Sequence, residues 1–167
     1  QITSNYVSPA NEYQSSTISF KFAINGRDNE MPSGQDHHFT VTATDGMAET
    51  PVIIFGKQLN TETGKNSFLA PNTKLTIRVD MKEVLKQFSE KGFYTTFSGT
   101  KIYREDFKGL YIAGGTAPMI WDFDNLVHHD NLQLKDPDGD GIYETTLILN
   151  AKEDQKQTDA AWNLSKD

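Results

Sequence analysis

A chain of 167 residues, 36% hydrophobic and 11% aromatic, can bury a core and suits one domain, since domains run to roughly 100–200 residues. Its net charge of −7, a pI near 5.0 and the lack of any lysine or arginine stripe disfavour a partner held through phosphates, such as a nucleic acid, which needs a concentrated basic face. The absence of cysteine removes disulfides and thiolate metal sites, and the longest apolar run, Pro51 to Phe55, falls far short of the roughly 20 residues that cross a bilayer.

Residues 1–15 read as a polar N-terminal extension rich in Ser, Asn and Gln. The start at Gln1, without an initiator methionine, is read as a leader or boundary removed upstream. From Thr17 to Ile24, Ile18, Phe20, Phe22 and Ile24 alternate with smaller or polar residues, which predicts a half-buried strand ending at an Asn25-Gly26 turn. Phe39, Val41 and Ala43 alternate with threonines, and Asp45-Gly46 is a hairpin signal leading towards Val52 to Phe55. Leu75, Ile77 and Val79 mark the next strand.

Asp80 with Glu83 three residues on is a variant of the capping box, and Met81, Val84, Leu85 and Phe88 fall on one face of a helix that Gly92 closes. Its expected task is to plug one end or edge of the sheets. Phe93 to Phe97, Leu110 to Ala113 and Ile142 to Leu149 read as further strands. About seven short strands and one short helix predict a mainly β fold, an antiparallel β-sandwich of immunoglobulin-like or carbohydrate-binding-module-like form, over residues 16–150. Residues 151–167 read as a linker or tail towards a downstream domain, with Trp162 and Leu164 as its anchors.

Asp136, Asp138 and Asp140 stand at alternate positions before Gly141, as at the opening of a calcium loop, with Glu144 able to complete an irregular site. The residue where an EF-hand needs its bidentate glutamate is Leu147, so a tight turn held by its own aspartates is the preferred reading and calcium the fallback. His37-His38 and His128-His129 read as surface or core histidines, because neighbours in a strand point to opposite faces. Asp122 with Asp124, and Glu105 with Asp106, lack the context of a glycosidase pair, whose carboxyls lie roughly 5–9.5 Å apart. There is no Gly-x-Ser-x-Gly elbow and no phosphate loop, so the chain by itself is expected not to be an enzyme.

Trp121 and Phe123 fall in a polar loop between two strands. There an aromatic face meets the apolar C–H surface of a sugar while Asp122, Asp124 and Asn125 bond hydroxyls. The competing reading has Trp121 capping the core beside Met119 and Ile120. Leu110 to Gly115, Trp121-Asp122 and Asp138 to Leu147 together resemble the starch-binding type of carbohydrate-binding module, including those of starch-utilisation outer-membrane proteins of Bacteroidetes. The likeness covers about the last third of the chain.

That resemblance implies that Trp121 stacks on a sugar, that Asp122 and Asn125 bond its hydroxyls, and that the ligand is a glycan, an α-glucan among the candidates. The second platform aromatic of that family has no match, which keeps an interdomain spacer as the alternative. Asp159 to Asp167 looks like the approach to an all-helical toroid glycoside hydrolase domain of gut Bacteroidetes. By that likeness the chain is the N-terminal accessory domain of a secreted, periplasmic or lipid-anchored glycan-degrading enzyme of polysaccharide utilisation, whose catalytic domain lies downstream. Exposure of Trp121 separates binding from spacing.

Overall fold

The computed structural model describes residues 15–61 and 68–151. The expected tail anchors Trp162 and Leu164 lie outside that range, as does nearly all of the proposed N-terminal extension. The described chain is mainly β: β1 (Thr17–Ile24), β2 (His37–Thr40), β3 (Met47–Ile54), β4 (Asn60–Thr61), β5 (Thr73–Asp80), α1 (Lys82–Lys91), β6 (Phe93–Thr95), β7 (Lys101–Tyr103), β8 (Leu110–Gly114), β9 (Gln133–Leu134) and β10 (Ile142–Leu149). One sheet has the order β4-β2-β1-β8-β9, a second β10-β5-β3, and β6 pairs β7 as a hairpin.

The alternation read from the sequence fills a single core from both larger sheets. Ile18, Phe20, Phe22 and Ile24 of β1 and Leu110 and Ile112 of β8 join one cluster with Leu75, Ile77 and Val79 of β5 and Leu147 and Leu149 of β10. Val84 and Phe88 of α1 belong to it too, and the rings of Phe88 and Phe107 stand 5.6 Å apart. Gly92 ends the helix at φ 83°, its N–H donating to the Phe88 carbonyl. Asp80 does accept the Lys82 N–H at 2.8 Å, but Glu83 accepts from Gln87 instead of closing a capping box.

Not every pairing is antiparallel, as the alternation had suggested: β3 runs parallel to β5, and β2 parallel to β4. The reason lies in the Asp45-Gly46 turn. Its residues take φ 55° and 77°, and Thr44 and Met47 exchange both backbone hydrogen bonds, as a two-residue hairpin turn requires. Yet β2 has already ended at Thr40, so the turn passes the chain from one sheet to the other. The chain then visits β4 in the first sheet before it returns as β5, and a crossover of that length brings β5 in parallel to β3.

β1 outlasts its neighbour β2, whose pairing stops at Phe20. Side chains of the following loop take over that edge: Glu30 accepts the Phe22 N–H at 2.8 Å, and Asn29 bonds both the N–H and the carbonyl of Ile24. Buried backbone groups need such partners. This loop also passes over the face of β1 that carries Lys21, so that Lys21 is buried as well.

Candidate functional site

On that face, Lys21 projects from between two core phenylalanines. Its side chain is 3% exposed, and its ammonium donates to Asp28 Oδ1 at 2.6 Å and to the Met31 carbonyl at 2.9 Å. A buried ammonium needs such an acidic partner. Asp28 keeps 40% of its side-chain surface exposed, so the pair reaches solvent in a depression of about 200 Å³.

Trp121 and Phe123 form the wall, their ring centroids 6.5 Å apart and inclined at 42°. Ser33 and Asp36 complete its polar lining. Trp121 is 41% exposed, whereas Met119 before it is buried, so the loop anchors itself through Met119 and presents the indole. Two glycines seat the loop. A Cβ on Gly114 would stand 2.7 Å from Met119 Sδ and 2.9 Å from the Ser19 carbonyl oxygen, and one on Gly115 would stand 3.2 Å from Trp121 Nε1.

The expected hydroxyl partners lie elsewhere. Asp122 Oδ2 accepts from Asn125 Nδ2 at 2.6 Å, its Oδ1 from the Asp124 N–H at 3.1 Å, and its carbonyl from the Asn125 N–H. Asp122 and Asn125 thus hold the turn that follows Trp121, and neither lines the depression. Of the sequence-derived site residues, Trp121 and Phe123 meet there. Lys21, Asp28 and Asp36 also line the depression, and the sequence singles out none of them; the signal it carries is a lysine in a strand flanked by phenylalanines.

The aspartate loop folds as the tight turn read from the sequence. Asp136 accepts the N–H groups of Asp140 and Gly141, Asp140 accepts that of Ile142, and Gly139 and Gly141 take φ 70° and 86°. Asp136, Asp138 and Asp140 offer oxygens within 4.8 Å of one another, the set that would hold a hard cation. Glu144 is engaged otherwise: Arg78 donates to it at 3.0 Å and to Glu49 at 2.7 Å. Desolvation pushes the Asp136 carboxyl up, but hydrogen bonds from the Gly141 N–H and from its aspartate neighbours outweigh this and hold it below the usual range. The hydrogen bond to Asp136, then desolvation and the charge of Asp140, raises that of Asp138.

His37 is a core residue. Its Nδ1 accepts the Leu59 N–H at 3.0 Å, so the ring proton sits on Nε2 and is donated to Glu30 at 2.8 Å, while the ring packs against Phe20 and Phe22. His38 lies on the other face beside Ser19 Oγ, and His128 and His129 are exposed. Glu105 and Asp106 sit exposed in a 3-10 turn. No described helix is long and apolar enough to cross a membrane. In comparisons with known proteins, the chain matches no family model, no curated protein and no solved structure.

Proposed function

We propose that this chain is a non-catalytic carbohydrate-binding β-sandwich module that holds a neutral glycan against Trp121 and Phe123. The observation that carries the reading is an exposed indole beside a second ring, in a depression that a lysine–aspartate pair also lines. A ring face accepts the C–H face of a pyranose. Lys21 keeps one N–H beyond its bonds to Asp28 and the Met31 carbonyl, and Asp28 and Asp36 offer acceptors, the combination that a sugar's hydroxyls, each both donor and acceptor, can satisfy. Two sheets sharing one core favour the sandwich. The module would serve a secreted, periplasmic or lipid-anchored glycan-degrading enzyme, and α-glucan is the first glycan to try.

A second reading, an interdomain spacer, draws on a different surface. Met47, Val52 and Ile54 of β3 and Ile148 of β10 are exposed on the three-stranded sheet, with Met47 and Ile148 both paired to Lys74. Such apolar exposure suits packing on a neighbouring domain.

Calorimetry with maltooligosaccharides and other neutral glycans, beside thermal melts of wild type and Trp121→Ala, tests the choice. The binding reading expects micromolar-to-millimolar affinity, about −8 to −4 kcal/mol, lost in Trp121→Ala. The melting temperature should fall little, since an exposed ring contributes less than the roughly 3–5 kcal/mol of a core tryptophan. No binding by any glycan, with a much lower melt for the variant, would leave the spacer.

A further inference from the structure

The depression beside Trp121 is smaller than the roughly 300–1,000 Å³ of a typical small-molecule site. A second, of about 410 Å³, lies on the other side of the 25–29 turn, between that turn and the β6–β7 hairpin, and Asp28 lines both. The turn is seated against the Trp121 loop. A Cβ on Gly26 would stand 2.9 Å from Val127 Cγ1, and Arg27, which lines the larger depression, comes within 3.9 Å of Asp124. Asp28 is therefore a shared ridge between two adjoining hollows.

Resting on the carbohydrate reading, we infer that the larger hollow is a second sugar subsite, so that the ligand is an oligosaccharide running from Trp121 across Asp28 to the β6–β7 hairpin. The far end carries a chain of hydroxyls. Thr96 Oγ1 and Ser98 Oγ stand 3.0 Å apart, and Ser98 Oγ and Thr100 Oγ1 3.3 Å, with Ser98 and Thr100 exposed. A hydroxyl donates once and accepts twice, so this chain keeps capacity for further hydroxyl partners. The charged groups of the hollow balance, Arg27 and Lys101 against Asp28 and Asp106, which suits a neutral ligand better than an acidic one. Asn25 and Asn29, by contrast, use their amides on Asp106, Lys108 and Ile24, and act as supports of the ridge.

The test is calorimetry on the intact chain with a maltose-to-maltoheptaose series, and matching cello- and xylo-oligosaccharide series, against wild type, Trp121→Ala and the double variant Ser98→Ala/Thr100→Val. Both positions of the double variant are exposed and keep their backbone bonds. The inference expects affinity to rise about ten-fold or more from the disaccharide to the longer chains, the equivalent of a few added hydrogen bonds. The double variant should return the long chains to the disaccharide's affinity and leave the disaccharide unchanged, while Trp121→Ala removes binding at every length. Affinity independent of length, or a double variant equal to wild type, overturns the second subsite and leaves the Trp121 site standing. Absence of binding by every glycan overturns both.

Discussion

Lys21 Nζ stands 2.6 Å from Asp28 Oδ1, a lysine in the middle of a strand reaching an aspartate in the loop that covers it. Strand and loop are joined by this contact directly beneath the Trp121 wall. Lys21→Met keeps the stem's packing and removes the ammonium. Asp28 is exposed enough to regain water, so the cost is the unpartnered Met31 carbonyl, about 1–3 kcal/mol in urea unfolding. On the carbohydrate reading, glycan affinity should drop about ten-fold or more, because a charge-assisted hydrogen bond is lost. Unchanged affinity would make Lys21 a support of the loop only.

Glu30 is the hub of the buried side of the same loop. Its carboxylate accepts the N–H groups of Phe22 and Gly56 and the Nε2–H of His37, all within 3.0 Å. Glu30→Ala strands the Phe22 and His37 donors in the core and leaves the Gly56 N–H to solvent, and at about 1–3 kcal/mol for each stranded donor it should destabilise the fold by about 2–5 kcal/mol. Chemical denaturation measures it. A loss below about 1 kcal/mol would mean that water replaces the carboxylate.

Gly114 admits no side chain although its backbone is unstrained. A Cβ would meet the Ser19 carbonyl, which belongs to β1 and cannot swing aside, and the sulfur of Met119, which anchors the Trp121 loop. Gly114→Ala is expected to cost about 1–3 kcal/mol and, on the carbohydrate reading, to weaken glycan binding by shifting the loop. A variant that melts and binds like wild type would show that the strand gives way freely.

Asp138 titrates above the ordinary carboxylate range in the folded chain, first through its hydrogen bond to Asp136. For such a group the contribution to stability is present below the unfolded pKa and is lost as pH rises through the folded one. Asp136, held low, contributes in the opposite sense, present above its unfolded pKa and lost on acidification, and the amide of Asp138→Asn can still donate the hydrogen bond that helps to hold it there. Asp138→Asn should therefore melt above wild type near pH 7 and converge with it below about pH 3, where Asp138 is protonated in the folded and the unfolded chain. Calcium that raises the wild-type melt but not the variant's would identify a metal site instead.

Most local features of the fold were legible in the sequence because they depend on near neighbours. The period of two in Thr17 to Ile24, the glycine ending α1, the Asn25-Gly26 and Asp45-Gly46 turns and the self-bonded aspartate loop are all governed by backbone geometry and residues within a turn or two. Trp121 and Phe123 could be picked out because aromatics in a polar loop are visible without a fold. Tertiary structure decided the rest. Alternation states that a strand has two faces but not which strand lies beside it, so the parallel β3–β5 pairing and the division into sheets follow only from the path between them. Lys21 reads as a solvent-facing strand residue until the 25–36 loop folds back over it, and that Asp122 bonds Asn125 and stands outside the Trp121 depression is set by its turn. Which polar side chains face a bound molecule depends on distant segments meeting, and spacing along the chain carries no term for that.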